Sequence, residues 1–260
     1  MPSGCISLGR TPRNSRRTHV YALRALYPRL PGSRSLIGNR SGQMIKIVVL
    51  GSSLAAISAA HTLLDKPSKT TVQLVMEKAE VGLIGEAPGL FEKWPPCPPH
   101  WIGDLGSQQP TEGSTAVRRS WFEKSLGTSL SRRGCTIHLR TRVTSLGDGE
   151  INVVGAGPLG SDTIPCDGLL DFREDERGKT EWNGYVCMTI DAPNEQVIGN
   201  RPDDTTEVWL EGSRTEGNKH LQEMSWRGHD PRTSLSNDID FGIQEATSLV
   251  DTIIQNPPGQ

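Results

Sequence analysis

The chain has 260 residues, with 28 Lys and Arg against 30 Asp and Glu for a net charge of -2. At about 100–200 residues per domain, this length allows one large domain or two small ones. A charge so near zero leaves no electrostatic footprint for nucleic acid, and no run approaches the roughly 18–20 consecutive apolar residues of a membrane helix.

The charge is unevenly placed. Residues 1–43 hold eight arginines, no lysine and no acid, and the first carboxylate is Asp65. With all 30 acids beyond that leader and 20 of the 28 basic residues with them, residues 44–260 carry a net charge of -10. The leader is rich in Arg, Ser, Gly and Pro without a periodic apolar face, which predicts disorder. Three readings stay open for it: an organellar transit peptide, a basic arm for nucleic acid or anionic lipid, or a tail ahead of a true start at Met44. The expected location is cytoplasmic, or organellar if the leader is a transit peptide. The five cysteines are scattered and odd in number, with no CxxC pair, and the histidines form no HExxH. Neither a disulfide framework nor a metal site is expected.

From Met44, the run Ile45–Leu50 (IKIVVL) predicts a buried parallel strand ending at Gly51. SSLAAISAAHTLL follows with helical spacing, and a second strand over 71–76 ends at Glu77. This is a β-α-β unit of the usual size. Residues 82–113, which include WPPCPPHW at 94–101, read as an irregular excursion. That loop is either an aromatic wall over a ligand or a packed surface loop. A helix is predicted over about 115–132, stopped by Gly134. Stretches 136–139, 142–146, 151–155 and 162–172 then suggest a small antiparallel meander that returns to the parallel sheet. Residues 173–205 carry one plausible strand, 185–190, of a reduced second layer. Another strand, 207–210, ends at Gly212; 214–238 reads as loop, and an amphipathic helix over about 239–254 closes the fold.

The informative segment is strand, then Gly51-Ser52-Ser53-Leu54-Ala55-Ala56, then helix, then strand, then Glu77. A dinucleotide turn needs a glycine for the tight turn and small residues where the backbone meets the pyrophosphate and the helix packs. Gly51, Ser53 and Ala56 stand at those positions. The helix N-terminus offers unpaired N–H groups to phosphate, and Glu77, 21 residues past Ala56, suits a ribose hydroxyl. The plain alternative is an α/β domain whose first turn happens to be small, with Glu77 a solvated acid. His100, Asp104, His220 and His229 are the loop residues with acid–base chemistry, and no catalytic residue is singled out among them.

The string VVLGSSLAAISAAHTLL resembles the first βα turn of FAD-dependent monooxygenases and related flavoproteins. The Gly-Glu-Ala at 85–87 is also similar to a motif of flavin-dependent halogenases. The resemblance implies a Rossmann-type FAD/NAD(P)-binding fold with a parallel sheet, an antiparallel meander and a reduced second layer, occupying 44–260 with insertions at about 82–113 and 173–205. It further implies an FAD-dependent oxidoreductase, monooxygenase-like or reductase-like, acting on a small organic substrate, with NAD(P)H as the reductant. Gly51, Ser52, Ser53, Leu54, Ala55 and Ala56 would hold phosphate, Glu77 the ribose and Arg119 the nucleotide, with Lys78 also among the cofactor-binding residues. Gly212 stands where the family carries a strand ending in Gly-Asp, although Ser213 replaces the aspartate. Asp171-Phe172-Arg173 likewise departs from the usual end of the return strand. The rival is a non-catalytic relative that keeps the fold and acts as a nucleotide-binding or interaction module.

Overall fold

The computed structural model describes residues 20–21, 44–66, 69–83, 87–155, 160–173, 180–194, 197–212 and 219–255. Apart from 20–21 the leader lies outside them, as do Gly85, Glu86 and Ser213. The organising element is a five-stranded sheet in the order β1 (Val20–Tyr21), β8 (Gly168–Asp171), β2 (Ile45–Leu50), β3 (Thr70–Val75), β4 (Thr136–His138). All of its strands are parallel except β1. β2 explains its own apolar run, because both faces are covered. Ile47 and Val49 face the helices, while Val48 and Leu50 pack with Val75 and Leu169 against Ile151, Val153 and Ile164 of the meander.

The helical layer is α1 (Leu54–Asp65), α2 (Arg119–Arg132) and α3 (Pro231–Gln255). α2 begins later than its periodicity predicts. Residues 115–117 are instead spent on bridges: the Thr115 and Ala116 amides donate to the Asn200 carbonyl, and the Val117 amide to Gly89. α3 starts eight residues earlier than predicted. Pro231 opens it, where a missing N–H costs nothing, and the Thr233 and Ser234 amides donate to the Asp230 carbonyl.

The meander is β5 (Thr141–Gly147), β6 (Glu150–Gly155) and β7 (Ser161–Pro165). The predicted strand over 162–172 is two strands, because the chain must pass from the meander to the parallel sheet. Asp167 makes the break, its carboxylate accepting from the Lys46 amide while its own N–H donates to the Lys46 carbonyl.

The second layer is fuller than expected: four antiparallel strands in the order β10 (Val197–Asn200), β11 (Thr205–Glu211), β9 (Glu181–Met188), β12 (Gln222–Arg227). β12 lies in a stretch predicted as loop. QEMSWR has only two apolar residues, but both point inward, and Trp226 pairs directly with Trp182. The inner face carries Trp182, Trp209 and Trp226 and packs on Ala87, Leu90 and Ala116. Buried Glu207 joins this sheet to the excursion, accepting from the Gly89 amide at 2.9 Å, from Trp209 Nε1 at 2.7 Å and from Arg201 at 2.6 Å. No helix among the described residues is long and apolar enough to cross a membrane.

Candidate nucleotide site

Strand order selects the place where a ligand would bind. From β2 the chain runs outward to β3 and β4, then returns to β8 on the other side of β2. The carboxyl end of β2 is thus a topological switch point, the usual ligand crevice of an open α/β sheet. Gly51 occupies it with φ +126°, a region that L side chains avoid. A Cβ there would stand 3.0 Å from the Phe172 carbonyl oxygen at the end of β8. The glycine therefore serves both the turn and the close passage of two strand ends.

Ser53 caps α1, its Oγ accepting from the Ala56 amide at 3.3 Å while its carbonyl takes the Ile57 amide. The amides of Ser52, Ser53, Leu54 and Ala55 have no acceptor among the described residues. Leu54 and Ala55 are buried, and a buried N–H left unpaired is unfavourable by about 1–3 kcal/mol. The first turn holds no acid, so the helix dipole and these amides favour an anion. Glu77 and Lys78 follow β3 with exposed side chains. Neither side chain makes a hydrogen bond or ion pair among the described residues. The donor set and the carboxylate suit the diphosphate and ribose of an adenine dinucleotide.

Two other expected residues, Arg119 and Gly212, have partners of their own. Arg119 is 2% exposed and fully engaged elsewhere. Its Nε donates to Glu123 at 2.9 Å, its Nη1 to the Pro88 carbonyl and to Ser234, and its Nη2 to Asp238, with the guanidinium 5.9 Å from the Trp226 ring centre. It fastens α2 to α3 and to the second sheet, and the two carboxylates neutralise its charge. Gly212 ends β11 in the antiparallel sheet, donating its amide to Glu181. Gly212 follows β11, which among the described residues pairs with β9 and β10, whereas Gly51 follows β2 of the parallel sheet.

The WPPCPPHW loop is a packed loop. Trp94 meets Phe122 edge-on at 5.8 Å, and Trp101 stacks on His61 at 5.0 Å while its Nε1 donates to Asp65 at 2.7 Å. His61 and Asp65 belong to the C-terminal end of α1, roughly 10–16 Å along the axis from the turn. His100 donates to Asp65 in the same cluster at 2.9 Å. His61 is held neutral at about 4, chiefly because it is buried. Arg133 can only donate, so His61 Nδ1 accepts from it, and Nε2–H donates to the Leu126 carbonyl. Cys97, buried in the loop, is pushed up to about 12 by desolvation and is no nucleophile. Asp104 accepts the Gly106 amide, and His220 stacks on Tyr185 at 3.9 Å in the second sheet.

The structure adds a segment that sequence reading passes over. The turn between β4 and β5 is sewn to the end of β3 by three backbone bonds: Met76 to the His138 carbonyl at 3.0 Å, Arg140 to Lys78 at 3.0 Å and Thr141 to Met76 at 2.9 Å. Leu139 and Arg140 thus flank Glu77, although more than 60 residues separate them in sequence.

No protein-family model and no curated protein matches this sequence. Solved structures match it at the level of fold. CabE, an aromatic hydroxylase from angucycline biosynthesis, superposes with a TM-score of 0.51 at 12% identity, over 80% of this chain and 63% of its own. The p-nitrophenol 4-monooxygenase PnpA from Pseudomonas putida DLL-E4 gives 0.55 at 8% identity, over 82% of each chain. A flavoprotein/dehydrogenase from Cytophaga hutchinsonii gives 0.53 at 13%, over 81% of this chain and 79% of its own. The chain therefore spans less than two thirds of the length of the aromatic hydroxylase. What these proteins share with it is the fold: a Rossmann-type α/β domain with a parallel sheet, an antiparallel meander and a second antiparallel layer.

Proposed function

We propose that the chain is an FAD-dependent oxidoreductase, monooxygenase-like or reductase-like, acting on a small organic substrate with NAD(P)H as reductant. The observation that carries this reading is the row of four unpaired amides at residues 52–55, set at a switch point beside the exposed Glu77. The fold it shares with a flavoprotein and two oxygenating enzymes supports it further.

Bound FAD would supply the electron-transfer chemistry. The chain's own residues bind and orient it. The amides of Ser52 to Ala55 would donate to the diphosphate oxygens, aided by the positive end of α1. Gly51 keeps Cβ bulk away from that approach, Ala56 adds no more than a methyl group, and Ser53 Oγ satisfies the Ala56 amide so that the helix end stays formed. Glu77 would accept from the ribose hydroxyls, with Lys78 beside it.

The absorbance spectrum of the purified full chain, followed by titration with FAD, tests this reading. A flavin spectrum, or uptake of FAD at micromolar concentration, is expected. Glu77→Ala should weaken FAD binding about tenfold, the worth of one hydrogen bond to a charged group. A protein that stays colourless and takes up no FAD would refute the reading.

A second reading, a nucleotide-binding module without redox chemistry, is favoured by one observation: Arg119 is consumed by Glu123 and Asp238. It predicts binding of 5′-ADP or NADH in calorimetry without uptake of FAD.

A further inference from the structure

We propose that the outer edge of β8 is a strand-docking site and that its occupant is the arginine-rich leader of the same chain, which adds its segment around Val20–Tyr21 to the parallel sheet. The leader then belongs to the folded domain, a role that none of its three sequence readings gives it. The observation that carries this is the register. β1 runs antiparallel to β8, with Val20 opposite Leu170 and Tyr21 opposite Leu169. A segment too polar to fold alone gains order by pairing on a preformed edge.

β8 is a strand in need of a cover. Its inner edge pairs with β2 over Gly168–Asp171, and no strand among the described residues other than β1 pairs with its outer edge. Leu169 and Leu170 are 3% and 0% exposed, the first packed on the meander side and the second on the helical side. An edge strand buried on both faces leaves a row of backbone N–H and C=O groups in want of a partner, which is a template for another strand. The usual guards are missing as well. GLLD holds neither Lys nor Pro, its register with β2 runs without a bulge, and its one charge, Asp171, is paired with Arg173. Backbone pairing along such an edge is a general way to recognise an extended segment.

The direction of β1 and the length of the leader make the chain itself the fitting occupant. Leu169 pairs with Val48 of β2 on one side and with Tyr21 on the other, so Tyr21 stands two strand spacings from β2, roughly 10 Å. Because β1 runs opposite to β2, the chain leaves Tyr21 toward the end of the sheet at which β2 begins. The residues from 22 to 43 have only that gap to close, and a stretch of this length reaches as far as about 70 Å. Tethering makes the docking intramolecular, so even a short pairing is favoured over an outside strand of the same sequence.

Charge acts in the same sense. The leader has eight arginines and no acid, whereas residues 44–260 carry a net charge of -10. α3, which reaches Gly168 of β8 through Leu249 and Ile253, carries Asp240, Glu245 and Asp251. None of these three makes a hydrogen bond or ion pair among the described residues. Arg16, Arg17 and Arg24 flank the docking segment in sequence, and opposite charges draw the two together.

Amide hydrogen exchange of the full chain, read on the peptide that holds Gly168–Asp171, tests the proposal. One of two adjacent strand amides must face β8, so Val20→Pro combined with Tyr21→Pro removes it. Exchange at Gly168–Asp171 is expected to quicken about tenfold in that double variant. Ile37→Pro, in the leader but outside the paired segment, should leave it unchanged. Unchanged exchange in the double variant would overturn the proposal, and so would equal quickening by Ile37→Pro. Equal quickening at Thr70–Val75 would overturn it too, since the leader would then act on the whole sheet and not on this edge. Protection of Gly168–Asp171 that rises with protein concentration in the unmodified chain would put a second copy at the edge in place of the leader, which also overturns it.

Discussion

Gly242→Ala sets two effects of opposite sign against each other. Gly242 lies inside α3, where alanine is the better helix former by about 0.8–1 kcal/mol. On propensity alone the substitution would stabilise. The packing says otherwise. A Cβ on Gly242 would stand 2.2 Å from the Ala55 carbonyl oxygen and 3.0 Å from the Ala59 amide nitrogen. That carbonyl and that amide are i and i+4 partners in α1, so the methyl group would wedge into a helical hydrogen bond. To restore ordinary contact, α3 must retreat by about 1 Å along its seam with α1. Overpacking of this kind is unfavourable by about 1–3 kcal/mol and exceeds the propensity gain. A net loss of about 1–2 kcal/mol is expected, read as a lower urea midpoint at unchanged slope. Ala55 also carries one of the unpaired amides, so binding of 5′-ADP should weaken in the same variant. A chain as stable as the unmodified one, or more stable, would refute the reasoning.

Two further perturbations test the buried charges. Arg119→Met would leave the carboxylates of Glu123 and Asp238 without their cation, and removing one partner of a buried pair costs about 3–5 kcal/mol. Urea unfolding measures this, and a loss below about 1 kcal/mol would mean that the cluster is worth no more than a surface ion pair. His61 stands at about 4 in the folded chain against 6.5 for the free side chain. Between those values the unfolded state binds more protons. Stability should therefore fall as pH drops from 6.5, by a total on the order of 3 kcal/mol once pH is below about 4. His138 is lowered by burial as well and acts in the same direction. Thermal melts of His61→Gln isolate the first group: its pH profile should be flatter than that of the unmodified chain, and an unchanged profile would exclude His61 as the cause.

How far the sequence leads depends on the distance over which each signal acts. The βαβ unit was legible because its signals are local: a short apolar run, a glycine at its end, and small residues at helical spacing before a second strand. The meander was legible too, from its alternation, although the chain's passage from β7 to β8 was not. Asp167 marks that passage only by bonding to Lys46, which lies more than a hundred residues earlier.

Elements with weak patterns were decided by partners. β12 has two apolar residues in six and becomes a strand because Trp226 meets Trp182 across the sheet. The first turn of the α2 expected from periodicity is extended, because Asn200 and Gly89 claim its amides. Single charged side chains were the least legible of all. A sequence shows that Arg119 and Arg140 are both arginines, but it does not show which one finds carboxylates. Arg119 is enclosed by Glu123 and Asp238, whereas Arg140 is exposed. The sequence alone thus determined the small-residue turn between β2 and α1, because strand run, glycine and helical spacing operate within a few residues. Which arginine is buried among carboxylates was decided only by the tertiary structure, because a charge is directed by whatever packs around it, and those groups come from distant parts of the chain.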